Sequence, residues 1–221
     1  MARTGPFDKH AKEYEEWFSR NHYVYRSELK AIAHFIPPNA EGLEIGVGSG
    51  KFAEPLGIKF GVEPSGRMRR LAESRGIRVF DGVAENLPFP DARFDFVLMV
   101  TTICFLDDIA KSFREAGRVL RAGGIFVIGF VDKDSPLGLI YQQRKEHNLF
   151  YREATFYGAS EVIGLLRKHG FEQTQTIQTV FGQMGRIRSV QDFESGHGRG
   201  GFVVIRARKE KALRADSTSA F

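Results

Sequence analysis

Three glycines at alternate positions, Gly46, Gly48 and Gly50, follow the apolar segment Leu43-Glu44-Ile45. Because glycine has no Cβ, such a turn can bend sharply and let a ligand approach the backbone closely. A helix after the turn would direct its N–H groups and its positive dipole end at that ligand. The spacing therefore predicts a nucleotide-type cradle between a buried strand and a helix.

The glycine turn fits neither of two common phosphate-binding patterns. A dinucleotide fingerprint needs G-x-G-x-x-G, and Lys51 stands where its third glycine belongs, which argues against an NAD-type oxidoreductase. A phosphate loop needs Ser or Thr after Gly-Lys to hold magnesium, and Phe52 stands there instead. What remains is an acidic-x-G-x-G-x-G pattern with Glu44 ahead of the first glycine. A carboxylate at this position suits a ligand that carries an ammonium group and a sulfonium and no phosphate.

A second acidic residue, Glu63, follows the next predicted strand at 58–62. An acidic side chain at the carboxyl end of the second strand can accept hydrogen bonds from both hydroxyls of a ribose. The alternative is a solvated turn glutamate beside a helix N-cap at Ser65. The glycine turn upstream favours the ribose role. The short interval between Gly50 and Glu63 predicts a stubby first helix.

Strand and helix patterns alternate along the chain, which predicts a doubly wound α/β sheet. Two amphipathic helices, 7–20 and 23–35, precede the sheet. The predicted strands are 43–46, 58–62, 77–80, 94–101, 125–131, 171–181 and 202–208, and the later helices are 66–75, 109–120 and 160–169, with Gly123-Gly124 closing the second of these. Ligands of such sheets bind beyond the carboxyl ends of the strands. Residues 46–50, Glu63, 83–85 and Thr101 should therefore surround one crevice.

Five segments resemble, in order and spacing, the class I S-adenosylmethionine-dependent methyltransferases, specifically the small-molecule branch related to the ubiquinone and menaquinone C-methyltransferases. They are 44–50, 61–65, 82–89, 93–97 and 118–124. The resemblance implies a Rossmann-like, mostly parallel sheet of seven strands, the last antiparallel, with helices on both faces. It also implies an N-terminal helical lid over residues 1–40, a methyltransferase domain over 41–208 and S-adenosyl-L-methionine as cofactor. Residues 209–221 are predicted to be a frayed tail.

The resemblance implies parts for the residues around the crevice. The backbone of Val47 and Gly48 would line the methionine moiety. Glu44, which replaces the commoner Asp, would support the turn and its ammonium contact. Pro64 and Met68 would wall the adenine.

The adenine edge would be read by Val83, Ala84 and Glu85, partly through main-chain groups. Relatives often have Asp where Val83 stands, and a valine side chain cannot accept a hydrogen bond from the adenine amino group. Either Asp81 or Glu85 takes over that role, or adenine is held less tightly.

Methyl transfer asks little of side chains, because a sulfonium methyl is already electrophilic and the enzyme need only align the acceptor and exclude water. Tyr14 and His10 are the catalytic candidates. Family members often carry a Tyr-acidic pair at this point of the lid helix, and His10 lies one turn earlier, where it could act as an acceptor-side base. The competing interpretations are a half-buried aromatic for Tyr14 and a solvated histidine for His10.

Other reactive residue types are given structural roles. Cys104 lacks the Pro-Cys or Thr-Cys context of cytosine C5 methylation, so a buried apolar cysteine is predicted. Asp107 and Asp108 are predicted to cap the helix that follows. The histidines show no metal-ligand spacing, and no metal site is predicted.

The acceptor is the least specified ligand. The aromatic-rich segment 132–158 favours a flat or apolar small molecule, with ordinary loop packing as the alternative. The net charge of +5 would permit an RNA or protein acceptor instead, and a non-catalytic S-adenosylmethionine-binding protein is a third interpretation. The single cysteine and the lack of a long apolar segment favour a cytoplasmic protein, with no membrane or nucleic-acid partner expected. The acceptor atom and the oligomeric state stay open.

Overall fold

Eight strands form one sheet in the computed structural model, which describes residues 4–210. The strands are β1 (Gly42–Ile45), β2 (Phe60–Val62), β3 (Arg78–Phe80), β4 (Phe94–Val100), β5 (Leu120–Val131), β6 (Phe171–Thr179), β7 (Glu194–Ser195) and β8 (Phe202–Lys209). Their order across the sheet is β3-β2-β1-β4-β5-β8-β6-β7. Strands β1 to β5 pair in parallel, and β8 runs antiparallel between β5 and β6. The expected count of seven is wrong by one, because the two-residue β7 adds an edge pairing to β6.

Helices cover both faces of this sheet. They are α1 (Gly5–Lys9), α2 (Ala11–Arg20), α3 (His22–Ala33), α4 (Gly66–Ser74), α5 (Ile109–Val119), α6 (Pro136–Gln143) and α7 (Ala159–Lys168). Side chains of β4 alternate between the two resulting cores. Val97 and Met99 pack with residues of α5 and α7, whereas Phe96 and Leu98 pack with residues of α2 and α3. Burial on both faces explains why β4 is a continuous apolar run.

The predicted helix after the glycine turn is absent, and residues 51–57 form hydrogen-bonded turns instead. The reason is Pro55, which has no N–H to donate to the carbonyl of Lys51. That carbonyl accepts the hydroxyl of Tyr25 on α3 at 2.5 Å. The proline therefore stops a helix and leaves an acceptor that joins α3 to the glycine loop.

Two other predicted helices differ from the structure. The helix predicted over 7–20 is broken at His10, whose φ of −120° and ψ of 33° lie outside the helical range. The helix predicted over 109–120 ends at Val119, and Gly123-Gly124 lies within β5 rather than closing the helix. Gly123 has a φ of +75°, and the pairing of β4 with β5 shifts register nearby.

The ends of the described chain bear on two further predictions. Of the predicted tail, Lys209 closes β8 and Glu210 follows it, while 211–221 lie outside the described residues. Within residues 4–210 the helices are too short to cross a bilayer, α3 with 12 residues being the longest of them.

Candidate functional site

A cavity opens where the strand order reverses, between β1 and its neighbour β4. Ile45 and Val100, the last residues of these two strands, both line it. The cavity has a volume of about 180 Å³. A reversal point at the carboxyl edge of a parallel sheet is where ligands of doubly wound folds bind.

Most of the residues predicted to hold the cofactor line this cavity. They are Gly46, Gly48, Glu63, Pro64, Met68, Val83, Ala84, Glu85 and Thr101. Three others are buried and do not line it: Glu44, Val47 and Gly50. Of the two catalytic candidates, Tyr14 lines the cavity, whereas His10 lies on the surface beside Glu13, with Nδ1 and Oε1 3.2 Å apart.

The glycine turn has the backbone geometry that its spacing predicts. Gly46, Gly48 and Gly50 have φ values of +68°, +54° and +87°, in the left-handed region that favours glycine. A Cβ on Gly46 would collide with the side chain of Thr102, and one on Gly48 would lie 3.2 Å from the hydroxyl oxygen of Tyr14. A side chain at either glycine would therefore occupy the space of the cradle.

Glu63 joins two loops at the wall of the cavity. Its Oε2 accepts the N–H of Gly48 at 3.0 Å, and its Oε1 accepts the N–H of Ser65 at 2.9 Å. Burial raises the pKa of Glu63 to about 6, against the opposing effect of these two N–H donors. Ser65 also caps α4 by accepting the N–H of Met68 at 3.2 Å. The ribose interpretation and the helix-cap interpretation thus describe adjacent residues and do not exclude each other.

Glu44 lies behind the turn rather than in the cavity. It is 1% exposed, and its Oε2 has no hydrogen-bond partner among the described residues. Burial raises its pKa well above the usual range, a shift that a hydrogen bond from the Ala53 backbone opposes and the charge of Glu63 increases. Glu44 therefore lies beneath the glycine turn, where its Oε2 is an unsatisfied acceptor among the described residues.

Asp81 and Glu85, the two candidates to replace the acidic residue that relatives have at position 83, occupy different places. Glu85 lines the cavity, and its Oε1 accepts the N–H groups of Asp107 and Asp108 at 2.9 and 3.1 Å. Asp81 forms an ion pair with Arg69 at 2.7 Å and is not part of the wall. Of the two, Glu85 alone is in position to contact a ligand in the cavity.

Comparison with known proteins identifies the family. Residues 43–128 match a family described as a methyltransferase domain. A crystal structure from Thermotoga maritima, of a SAM-dependent methyltransferase described as a possible histamine N-methyltransferase, shares 45% identity with a TM-score of 0.92, covering 94% of this chain and 100% of that one. The chain belongs to the S-adenosylmethionine-dependent methyltransferases. Its cofactor is S-adenosylmethionine, in agreement with what the five matching segments of the sequence imply.

Two other relatives extend the comparison. An uncharacterised protein of Methanocaldococcus jannaschii is 44% identical over 203 residues, which cover 92% of this chain and 98% of that protein. The partner of the Trm112 methyltransferase activator in a complex from Haloferax volcanii has the same fold at 15% identity, with a TM-score of 0.69 over 95% of this chain and 99% of that one. The methyltransferase fold therefore extends over almost the whole chain, beyond the residues that the family profile matches.

The N-terminal helices of this methyltransferase are joined to the loops of the cradle. Asp8 on α1 accepts the hydroxyl of Ser65 at 2.5 Å. Glu15 on α2 accepts the hydroxyl of Ser49 and forms ion pairs with Arg75 at 2.5 Å and Lys51 at 3.1 Å. Residues of both helices line the cavity, including Phe7, Tyr14 and Trp17. The predicted lid helices thus form one wall of the site, and whether they open stays a prediction.

The sequence analysis missed Glu28, which also lines the cavity. It is 7% exposed, and burial raises its pKa to about 8. A glutamate on an amphipathic helix is usually solvated, but Val24 and Ile32, four residues to either side, are both buried. Since residues four apart share a helix face, this spacing was the signal that places Glu28 on the buried side of α3.

The structural roles predicted near the fourth strand are mostly confirmed. Cys104 is buried, and its Sγ donates to the carbonyl of Thr101 at 3.1 Å. Asp108 caps α5 by accepting the N–H of Lys111 at 2.9 Å, whereas Asp107 lines the cavity. Across residues 4–210 no three His, Cys, Asp or Glu side chains converge as metal ligands would.

Proposed function

We propose that this protein transfers the methyl group of S-adenosylmethionine to a small molecule that binds in the same cavity. One observation carries the proposal: a single cavity runs from the cradle to side chains of α3 and α6, including Glu28 and Tyr141. Its walls are mostly apolar and include α1, α2 and the aromatic residues Phe150 and Tyr151. An RNA or protein acceptor would need an open surface beside the methyl group, whereas a concave and mostly apolar cavity suits a small ligand.

Within the cavity, the lining residues support an assignment of cofactor contacts. Glu63 would accept hydrogen bonds from the ribose hydroxyls. Pro64 and Met68 would wall the adenine, whose edge would face the segment from Val83 to Glu85. The left-handed backbone at Gly46 and Gly48 would leave room for the methionine moiety, with Glu44 supporting the loop from behind. The Thermotoga maritima relative is described with a small-molecule substrate, which supports the acceptor class but not its relation to the ubiquinone branch.

Methyl transfer then depends on the alignment of the acceptor with the methyl group and on the exclusion of water. When bound, S-adenosylmethionine supplies an electrophilic methyl group on its sulfonium. The residues of this chain hold the acceptor in line and exclude water, the latter through the aromatic wall of Phe7, Trp17 and Phe150. Burial and the charges of Glu44 and Glu63 raise the pKa of Tyr14, so its hydroxyl stays protonated over the cradle. Tyr14 would therefore act by donating a hydrogen bond and would not serve as a base.

The first test is calorimetric titration with S-adenosylhomocysteine, the demethylated cofactor, with NADH as the control. We expect binding of the first ligand only, followed by transfer of a labelled methyl group to members of a small-molecule panel. Cofactor binding without transfer to any small molecule, but with transfer to RNA or protein, would contradict the proposed acceptor class. Binding with no transfer to any acceptor would favour a non-catalytic binding protein.

A further inference from the structure

Glu28 is a buried carboxyl group that lines the cavity. It is 7% exposed and forms no hydrogen bond or ion pair with any of residues 4–210. By contrast, Glu63 on the same cavity accepts two backbone N–H groups. Burying a carboxylate without a donor is costly. A bound molecule that carries the missing donor would remove that cost.

The two glutamates act on different parts of the cavity. The charge of Glu63 raises the pKa of Tyr14, above the glycine turn. Burial, and to a smaller extent the charge of Glu28, raises the pKa values of Tyr141 on α6 and Tyr151 in the segment that follows. Glu28 on α3 therefore shares its part of the cavity with α6 and that segment.

The charges on the cavity wall have one sign. The described lining residues include the carboxyl groups of Glu28, Glu63, Glu85 and Asp107 and no Lys, Arg or His. The chain as a whole has a net charge of +5, so this acidic wall is a local property. Aromatic side chains, among them Trp17, line the same space and can offer their ring faces to a cation.

We propose that Glu28 binds the methyl acceptor and that the acceptor is a small basic amine. The inference rests on the proposed function, since it assigns the second ligand of the same cavity. An acceptor that carries a carboxylate or phosphate would meet only like charges on this wall. A neutral hydroxyl or carbon acceptor would bring no positive charge to the acidic wall or to the aromatic ring faces. An ammonium group satisfies the carboxylate and the aromatic faces together.

The titratable groups around Glu28 can be compared as possible proton acceptors. The titratable neighbours whose pKa values respond to its charge are Tyr25 on α3, Tyr141 on α6 and Tyr151 in the following segment. Tyr14 faces the cavity from α2, and Met184 and Leu137 contribute no charge. Burial raises the pKa values of all four phenols, to about 12 for Tyr25 and Tyr141. Glu28 is therefore the group on this side that titrates closest to neutrality.

The transfer step balances with Glu28 as the proton acceptor. The ammonium ion binds to the Glu28 carboxylate, and one N–H proton passes to that carboxylate, which frees the nitrogen lone pair. The nitrogen forms a bond to the methyl carbon while the bond from that carbon to sulfur breaks. The bonding electron pair stays on sulfur, and the product amine carries one methyl group and the positive charge.

The test compares amines with their isosteric alcohols. The probes are 2-phenylethylamine with 2-phenylethanol, and 2-(imidazol-4-yl)ethylamine with its alcohol, titrated into protein saturated with S-adenosylhomocysteine at pH 7. Calorimetry in two buffers of different ionisation enthalpy gives the number of protons released. The fluorescence of Trp17, the one tryptophan of the chain, gives a second binding curve, since its side chain lines the cavity. The variants are Glu28→Gln and, as a matched control, Glu172→Gln at an exposed position of β6.

We expect at least one amine to bind about tenfold or more tightly than its alcohol, the range of a charge-assisted hydrogen bond. Binding should release about one proton in the wild type, because an empty buried carboxyl is largely protonated at pH 7 and ionises in the pair. Glu28→Gln should abolish both the preference and the proton release, and Glu172→Gln should keep both. S-adenosylhomocysteine should bind to all three proteins, which also shows that each is folded.

The outcomes separate the two proposals. If S-adenosylhomocysteine fails to bind to folded wild-type protein, the proposed function fails. If it binds but no amine in the panel does, or if the alcohols bind as tightly, the amine assignment is overturned and the methyltransferase proposal stands. Amine binding that is unchanged in Glu28→Gln would overturn the role of Glu28.

Discussion

The cavity carries two buried glutamates in opposite circumstances. Glu63 and Glu28 are almost equally shielded, at 8% and 7% exposure. Two backbone N–H groups hold Glu63, and its pKa is raised only to about 6. No donor among residues 4–210 holds Glu28, and burial raises its pKa to about 8. A carboxylate fixed by the backbone is preorganised for one invariant ligand, whereas an unheld carboxyl depends on the ligand for its counter-charge.

The contrast predicts that the two glutamates make the stability of the folded protein depend on pH over different ranges. This is the largest of the effects expected here. In both cases the folded protein holds a proton that the unfolded chain, with the usual pKa of 4.5, has lost. Stability therefore falls as pH rises from about 4.5 to the folded pKa. The fall should end near pH 6 for Glu63 and near pH 8 for Glu28.

Glu28→Gln removes the group whose protonation affects stability over the wider pH range. At about 1.4 kcal/mol per unit of pKa shift, we expect the variant to be more stable than ligand-free wild type by about 2–4 kcal/mol at pH 9 and close to it at pH 5. Urea unfolding across pH 5–9 would measure this difference. A difference that does not change with pH would mean that Glu28 finds a donor in solution.

Substitution of Glu63 tests the proposed contact with the ribose of the cofactor. Glu63→Ala should weaken S-adenosylhomocysteine binding by about 1–3 kcal/mol, the cost of losing hydrogen bonds to an ionised group. Glu73→Ala, at an exposed position of α4, is the matched control, and Glu28→Gln should leave this affinity nearly unchanged. Equal affinity of Glu63→Ala and wild type in calorimetry would remove the ribose assignment.

Tyr14→Phe should have the smallest effect of the three. The hydroxyl of Tyr14 lies over Gly48, and losing one neutral hydrogen bond costs about 0.5–1.5 kcal/mol. We expect that loss in S-adenosylhomocysteine affinity, with little change in melting temperature. Unchanged affinity would reduce Tyr14 to an aromatic packing residue, the alternative that the sequence already left open.

The residues proposed to hold the cofactor could be placed near one cavity from the sequence, because they belong to local motifs. The glycine turn and Glu63 follow β1 and β2 directly, and the segment from Val83 to Glu85 comes shortly after β3, so placing the strands placed the residues. The errors came from single residues that act against a pattern. Pro55 stops the helix predicted after the glycine turn, and His10 lies at the break between α1 and α2 and does not line the cavity.

The acceptor side could not be predicted in the same way, because it has no contiguous motif. Glu28, Tyr141 and Met184 come from three distant parts of the chain, and only the fold brings them to one space. Even the signal from Val24 and Ile32 indicates that Glu28 is buried without indicating what it faces. Such a site is specified by tertiary packing, and sequence periodicity cannot supply that.

The contacts that join α1 and α2 to the cradle also bear on the speed of turnover. If α1 and α2 act as a lid, release of a nucleoside from beneath Tyr14 would require the Glu15–Arg75 ion pair and the Asp8–Ser65 hydrogen bond to break. Ion pairs at a protein surface weaken as ionic strength rises. The residence time of the spent cofactor should therefore shorten in salt, and if its escape limits the catalytic cycle, salt would accelerate the enzyme while leaving the chemical step unchanged.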